Sequence, residues 1–203
     1  MSIDYTRARR TLARQDPVIA GLIRAVGPCG LKDAQHTDPF TALTHAIISQ
    51  QLSTRAAATI AGRFDAMFAG RATPPAVARM SDEQLRAVGF SSQKIGYLRD
   101  LCRRIAEGAL PLDALDAMSD DEVIAALTQV KGIGRWTAEM FLMFRLHRPD
   151  VLPVGDLGIV KAVQKAYRLR KLPTPERITT IGESWRPYRS IACWYLWASL
   201  KQS

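Results

Sequence analysis

Four residues in the middle of the chain, Lys131-Gly132-Ile133-Gly134, combine two glycines with an adjacent positive charge. Glycine has no Cβ, so its backbone N–H group can approach an anion closely, and the N-terminus of a following helix adds positive partial charge. Such a turn can bind phosphate. An ordinary helix cap is the alternative, since glycine also ends helices. A dinucleotide-binding loop is excluded, because it needs a preceding strand and a third glycine, and that third position is Thr137.

One carboxylate in the second half of the chain, Asp156, directly precedes the apolar-periodic segment LGIVKAVQKAY that begins at Leu157. At that position Asp156 can cap a helix, a role that stabilises the helix by about 1 kcal/mol. A carboxylate fixed there can also stabilise a developing positive charge and can orient or deprotonate a water molecule. The two roles are compatible, because a helix N-terminus favours a negative charge. Taken by itself, the residue does not distinguish between them.

The charge balance favours a polyanionic partner. The 203 residues include 28 Lys+Arg against 19 Asp+Glu, a formal net charge of +9, with a pI of about 9.9. Nucleic acid is the first partner to consider, and a basic enzyme without one is the alternative. Cys29, Cys102 and Cys193 have no metal or iron–sulfur spacing and indicate reduced thiols. The longest apolar run, 191–200, is too short to cross a bilayer, and we expect no secretory signal.

Helical periodicity runs through most of the chain, and no segment alternates as a strand would, which predicts an all-α fold. Residues 39–50 form one predicted helix, and Ser53 begins a second after a polar break. Ser119 and Glu122 fit a capping box that opens a helix before the Gly-Ile-Gly turn. Another helix follows the turn from Arg135, so the turn joins two helices as a hairpin.

The later part of the chain is also helical in pattern. The residues Pro173-Thr174-Pro175-Glu176 are predicted to start a later helix, and Pro187 is predicted to start the last one. No linker rich in proline, glycine or serine marks a boundary between separate domains.

These motifs together resemble the helix-hairpin-helix DNA glycosylase superfamily. The segment LTQVKGIGRWTAEMFLMF followed by DVLPVGDLGIVKAV is similar to its hairpin and to the Pro-x-x-Asp element that carries the catalytic aspartate, here Pro153 to Asp156. The segment HAIISQQLSTRAAATIAGRF resembles the helix pair that separates the DNA strands. The segment SWRPYRSIACWYLW resembles the C-terminal helix of the type II 3-methyladenine, or AlkA-like, branch.

The likeness runs from about residue 38 to residue 197, with two departures. An N-terminal β-domain found in some members is missing. The sequence also lacks the four-cysteine iron–sulfur motif of the endonuclease III branch.

The resemblance implies roles for individual residues. Asp156 is the expected catalytic carboxylate, which stabilises positive charge on the sugar. Trp136 stands where bifunctional members carry a nucleophilic lysine, which implies a monofunctional enzyme that uses water. Trp136, Trp197 and, more weakly, Phe40 are candidates for the base pocket, where an aromatic face attracts a cationic alkylated purine by about 0.5–2 kcal/mol. Core packing is the alternative for Trp136 and Phe40.

Two further sets of residues are implied to contact DNA. Gln51 and Leu52, in the break between the two upstream helices, would wedge into the space left by a flipped nucleotide. A polar surface loop is the alternative. The four hairpin residues 131–134 would bind a DNA phosphate.

For the whole molecule, the resemblance implies two helical subdomains. A six-helix middle subdomain over 38–150 would contain the hairpin, and 1–37 with 151–203 would form the second, which carries Asp156. The hairpin and Asp156 would line a DNA-binding cleft between them. We expect a monomer that acts in the bacterial cytoplasm on the nucleoid, or in the nucleus of a eukaryote.

The expected reaction is hydrolytic removal of alkylated bases, of the 3-methyladenine and 7-methylguanine type, from double-stranded DNA without AP lyase activity. No cofactor or metal is expected, because the leaving base is already cationic. Whether the hairpin carbonyls bind a monovalent cation is left open by the sequence. Two alternatives remain. One is an enzyme of the same superfamily for oxidised or mismatched bases, and the other is a helix-hairpin-helix DNA-binding module without catalysis.

Overall fold

The structure is a computed structural model that describes residues 3–33 and 38–201, and that part of the chain contains twelve α-helices and no β-strand. The all-α prediction is therefore confirmed. In chain order the helices are α1 (Tyr5–Gln15), α2 (Pro17–Val26), α3 (Pro39–Ser49), α4 (Thr54–Met67), α5 (Pro74–Ala78), α6 (Asp82–Val88), α7 (Ser92–Ala106), α8 (Asp120–Thr128), α9 (Arg135–Phe144), α10 (Leu157–Ala166), α11 (Pro175–Gly182) and α12 (Arg189–Leu200).

The helices divide between two compact units. One unit combines Met1–Gln35 with Leu142–Ser203, and the other is His36–Phe141. This division cuts α9 after Phe141, whereas the limit expected from the sequence, residue 150, lies after the end of α9.

Polar caps explain where many of the helices begin. The sequence predicted a helix start at Ser53, and the Ser53 side chain caps α4, which begins at the next residue. The side chain of Thr174 caps α11. The predicted capping box of α8 is confirmed, because Glu122 N donates to Ser119 Oγ at 3.3 Å and Ser119 N donates to Glu122 Oε2 at 2.8 Å. The predicted start of the last helix at Pro187 is wrong. Pro187 lies in a turn, and α12 begins two residues later at Arg189.

The core of the unit His36–Phe141 is built around α7. This helix packs against α3, α5 and α6, and α4 packs against α3 and α6. The packed faces bury apolar side chains that recur at helical spacing, including Ile47 on α3, Phe64 on α4, Leu85 on α6 and Leu98 on α7. Helix α8, the hairpin turn and α9 as far as Phe141 belong to this unit.

The core of the other unit is built around α12. This helix packs against α1, α2 and α10, and it buries Ile191, Cys193, Tyr195 and Leu196. The Tyr195 hydroxyl donates to the Gly27 carbonyl at 2.8 Å, so the buried phenol has a partner. The helix that carries Trp197 is therefore fixed on several sides within this unit.

A buried carboxylate, Asp16, ties three segments of the same unit together. It caps α2 and accepts hydrogen bonds from Trp185 Nε1 at 3.0 Å and from the Tyr167 hydroxyl at 2.5 Å. Burial alone would raise the pKa of the Asp16 carboxyl, but these hydrogen bonds and those of the Val18 and Ile19 N–H groups lower it below its usual value. This hydrogen-bond network has a structural role. It fixes the C-terminal end of α10, because Tyr167 is the residue that caps that end.

The three cysteines are free and buried. Burial raises the pKa of the Cys102 thiol to about 11, because it disfavours the charged thiolate. Such a thiol is a poor nucleophile, and its structural environment fits the reduced state predicted from the sequence.

Candidate active site and nucleic-acid interface

Asp156 lies at the N-terminus of α10 and caps it. Its Oδ1 accepts the backbone N–H of Ile159 at 2.7 Å, and its own N–H donates to the Pro153 carbonyl at 3.0 Å. Pro153 is buried and Asp156 is half-buried. The Pro-x-x-Asp element is thus a tight turn that delivers a partly accessible carboxylate to the positive end of a helix.

Trp197 contacts the same carboxylate. Its indole Nε1 donates to Asp156 Oδ1 at 2.8 Å, and its ring stacks on Phe144 with centroids 6.0 Å apart and an interplanar angle of 27°. The structure therefore brings together two residues that the sequence assigned to catalysis and to the base pocket. Trp197 also holds the carboxylate, a role that the sequence did not indicate.

The hairpin between α8 and α9 requires glycine at one position in particular. Gly132 has φ = +80°, and a Cβ there would lie 2.2 Å from the Tyr97 ring, so both the backbone and the packing exclude other residues. Ile133 is only 3% exposed, and its N–H donates to the Val130 carbonyl at 3.0 Å, so its side chain anchors the turn. A Cβ on Gly134 would meet no atom within 4 Å, which leaves room for a ligand beside the backbone.

A buried carboxylate from α7 holds the start of the hairpin. Asp100, 6% exposed, accepts the Lys131 N–H at 2.9 Å and bonds to Arg103 at 2.7 Å and Arg104 at 3.0 Å. Burial of the Asp100 carboxyl alone would raise its pKa, but these hydrogen bonds outweigh it and lower the pKa to about 2. The exposed Lys131 side chain is therefore presented from a fixed backbone.

The loop between α3 and α4 is exposed and has an unusual backbone. Gln51 adopts φ = +58°, a left-handed conformation uncommon for residues other than glycine, and Leu52 is 38% exposed. Gln50 Nε2 donates to the Gly132 carbonyl at 2.8 Å, which links this loop directly to the hairpin. Lys94 Nζ donates to the Ile48 carbonyl at 2.6 Å and satisfies the end of α3. The proposed wedge and the proposed phosphate site thus belong to one connected surface.

The two remaining predicted pocket residues lie in different environments. Trp136, the second residue of α9, is 51% exposed, so the core alternative for it is wrong. Phe40 is 2% exposed at the start of α3, as the core alternative requires. The α3–α4 loop, called the wedge loop because it contains Gln51 and Leu52, follows the other end of α3, about 15 Å from Phe40 along the eleven-residue helix. The structure does not bring Phe40 together with the wedge loop, and its place in a base pocket stays a prediction.

The described part of the chain, 3–33 and 38–201, contains no helix long and apolar enough to cross a membrane. The same residues include no group of three or more His, Cys, Asp or Glu side chains that could hold a metal ion. The expectation that no metal or cofactor is needed stays a prediction.

A match to a known family profile shows which family the chain belongs to. The profile of the HhH-GPD superfamily of base excision DNA repair proteins matches residues 44–187, most of the chain. The chain belongs to this superfamily. The match includes the wedge loop, the hairpin and Asp156, so these elements lie within the region that the superfamily shares.

Several well-covered relatives carry related names. The chain is 38% identical to the DNA-3-methyladenine glycosylase 1 of Schizosaccharomyces pombe, over 84% of this chain and 76% of that protein. The crystal structure of a DNA-3-methyladenine glycosidase from Bacillus halodurans superposes with a TM-score of 0.84 at 38% identity, covering 94% of this chain and 87% of that one. The structure of the S. pombe 3-methyladenine DNA glycosylase Mag1 in complex with abasic DNA gives 0.82 at 35% identity, covering 96% and 97%.

Several residues of the site were not identified from the sequence. Asp100, Gln50 and Tyr97 support the hairpin, while Phe144 and Gly158 lie against Trp197. The sequence does contain a pattern that points to Asp100, because arginines follow it at i+3 and i+4 on one helix face. It also contains one that points to Gly158, since glycine in the first turn of a helix is unfavourable unless its surroundings require it. No sequence pattern points to Gln50 or Tyr97, because their partners are distant in sequence.

Proposed function

We propose that this protein is a monofunctional DNA glycosylase that flips alkylated bases out of double-stranded DNA and hydrolyses their N-glycosidic bonds. The observation that carries the proposal is the Asp156 carboxylate, held at the start of α10 by the Ile159 N–H and the Trp197 indole. It stands in a chain that belongs to a superfamily of base excision DNA repair proteins. The names of the similar glycosylases support alkylated purines as the substrate class.

The chemistry follows from the place of Asp156. When the C1′–N bond breaks, its electron pair leaves on the base and positive charge develops on the sugar. A fixed carboxylate stabilises that charge and can orient the water that adds to C1′. The water then loses one proton, and the products are a free base and an abasic strand. Alkylation of the base assists the step, because a cationic base is a better leaving group.

Recognition of the damaged base would fall to the accessible tryptophans. Trp136 exposes half of its surface, which is unusual for so large an apolar side chain. Trp197 is half-buried beside Asp156. An indole face attracts a cation by about 0.5–2 kcal/mol, so either ring can favour a methylated purine over a neutral one.

Binding of the duplex would use the connected surface of the unit His36–Phe141. Residues 131–134 would bind a phosphate through backbone N–H groups and the Lys131 charge. Gln51 and Leu52 would fill the stack where the nucleotide leaves it, since base flipping opens a gap. One chain supplies all of these residues, so we infer that a monomer is sufficient.

The decisive experiment is incubation of the protein with methylated duplex DNA, followed by chromatography of the released bases. Release of 3-methyladenine or 7-methylguanine supports the proposal. Release only from duplexes with oxidised or mismatched bases would replace it with another specificity in the superfamily. Duplex binding without release of any base would indicate a DNA-binding module.

The absence of lyase activity is tested separately. An amine nucleophile would form an imine with the sugar, which permits strand cleavage and can be trapped by borohydride. By the resemblance to bifunctional members of the superfamily, Trp136 occupies the position of that lysine, and an indole cannot act as an amine. We therefore expect intact abasic strands that break only after alkali, and no trapped protein–DNA adduct. An adduct that disappears on replacing one lysine would contradict the monofunctional assignment.

A further inference from the structure

We infer that Gly158 is a positioning residue of the active site, whose missing side chain lets Trp197 bond to the Asp156 carboxylate. The inference rests on the proposed function, because it concerns how Asp156 is oriented for the reaction. Gly158 has no side chain that could act in the chemistry, so it acts through the two side chains beside it.

The geometry leaves no room for a methyl group at this position. A Cβ on Gly158 would lie 2.9 Å from Asp156 Oδ1 and 3.0 Å from both Cδ1 and Nε1 of Trp197. Non-bonded heavy atoms prefer separations of about 3.5–4.0 Å. The added carbon would therefore crowd both atoms of the 2.8 Å hydrogen bond between Trp197 and Asp156.

The backbone does not require glycine here. Gly158 is the second residue of α10, and its φ lies outside the left-handed region, unlike that of Gly132. Alanine is the better helix former at such a position, because glycine loses more conformational freedom on folding. The reason for glycine must therefore be the neighbouring side chains, which here are the two partners of the hydrogen bond.

The neighbours of Asp156 and Trp197 limit how the site could absorb a methyl group. Phe144 stacks on the indole, so a shift of the ring would disturb that contact. Asp156 Oδ1 also accepts the Ile159 N–H at 2.7 Å, so the carboxylate cannot rotate away without uncapping α10. Rotation of Asp156 would lose both of its hydrogen bonds, whereas a shift of the indole would lose only the one from Trp197 and disturb the Phe144 contact. We therefore expect the indole to move and the Trp197–Asp156 hydrogen bond to break.

The test compares Gly158→Ala with Gly21→Ala as a matched control. Gly21 lies inside α2 of the same unit, outside the segments assigned to catalysis or DNA binding, and the nearest atom to a Cβ there would be Arg24 Nη2 at 4.0 Å. Both variants should fold, and Gly21→Ala should release methylated bases at the wild-type rate. Gly158→Ala should lower the single-turnover rate of release on the order of 10-fold, the scale of one hydrogen bond to a charged group. Duplex binding should not change.

A double-mutant cycle with Trp197→Ala separates positioning from a general structural effect. If Gly158 acts through Trp197, adding Gly158→Ala to Trp197→Ala should change the release rate little further. In the Trp197→Ala background, Gly158→Ala should instead raise the melting temperature, as we expect Gly21→Ala to do in the wild-type background. Equal, additive losses in both backgrounds would overturn the inference, as would an unchanged rate for Gly158→Ala alone.

A spectroscopic measurement tests the hydrogen bond without the reaction. The indole N–H signal of Trp197, assigned by its loss in Trp197→Ala, should exchange slowly with solvent in the wild type and faster in Gly158→Ala. An unchanged signal would overturn the inference even if base release fell. Failure of the wild type to release any methylated base would instead count against the proposed function, and the indole signal would still decide the role of Gly158.

Discussion

At the scale of single residues, the site depends on one carboxylate with two fixed hydrogen-bond donors. Both the Ile159 N–H and the Trp197 indole donate to the same oxygen, Asp156 Oδ1. Capping and catalysis are therefore combined in one side chain. A substitution that keeps the cap and removes the charge can separate the two roles.

Asp156→Asn is that substitution. Its amide oxygen can accept both hydrogen bonds, so we expect little change in melting temperature and in duplex binding. Base release should fall at least ~100-fold, the scale of losing one electrostatic stabiliser of a transition state. The measurement is single-turnover release from methylated duplex beside a thermal melt. Near-wild-type release would show that Asp156 is only a helix cap.

At the scale of elements, the turn of the α8–α9 hairpin is held by residues of α7 and by the wedge loop. Tyr97 packs under Gly132, Asp100 bonds to the Lys131 N–H, and Gln50 bonds to the Gly132 carbonyl. Glycine is therefore needed at the two hairpin positions for different structural reasons. Gly132 is needed for the turn to form, whereas Gly134 leaves open space beside the backbone.

The two glycines should respond differently to a side chain. Gly132→Ala should lower the free energy of unfolding by about 2 kcal/mol or more, because a left-handed φ costs an L-residue about 1–2 kcal/mol and the Tyr97 ring must also move. Gly134→Val should leave the melting temperature nearly unchanged and weaken duplex binding. Urea unfolding and a binding titration of both variants give the comparison. Full binding by a folded Gly134→Val would reduce the turn to a helix cap.

The anchoring of the hairpin by Asp100 should make stability depend on pH. The folded pKa of about 2 lies below the unfolded value of 3.8. The stability that the ionised Asp100 carboxylate contributes to the fold is therefore fully present above the unfolded pKa, and it is lost as the pH falls through the folded pKa. The shift corresponds to about 2 kcal/mol.

Asp100→Asn tests this dependence. At pH 7 the variant should be less stable than the wild type by about 2 kcal/mol, and the difference should narrow below pH 4. Urea unfolding of both proteins at several pH values measures this difference in stability. The control is Asp113→Asn, because Asp113 is exposed to solvent. A difference that stays constant down to pH 2 would mean that the charge of Asp100 does not stabilise the hairpin.

At the scale of the whole molecule, the net charge of +9 should dominate binding to undamaged duplex. If two or more phosphates are neutralised, affinity should fall about 10-fold or more between about 50 and 200 mM salt. Lys131→Ala should weaken binding to all sequences alike and reduce the slope of log affinity against log salt by about 1. A slope unchanged by this variant would remove Lys131 from the phosphate contacts.

Features that depend on near neighbours were predictable from the sequence. Helix starts at Ser53 and Ser119, the hairpin turn and the capping position of Asp156 depend on residues within about one helical turn, so periodicity and cap residues indicate them. The superfamily was also apparent, because its motifs occur in their order along the chain. The start of α12 was misplaced, since Pro187 fits a helix start and a turn equally well.

The tertiary structure alone decided how the site residues are supported. The bonds of Trp197 to Asp156, Gln50 to Gly132 and Asp100 to Lys131 join residues 41, 82 and 31 positions apart. No local pattern specifies such pairs, because they arise from which helix faces pack together. The same holds for exposure. Trp136 and Phe40 are both aromatic residues on helices, and only the packing of the helices leaves Trp136 about half exposed while it buries Phe40.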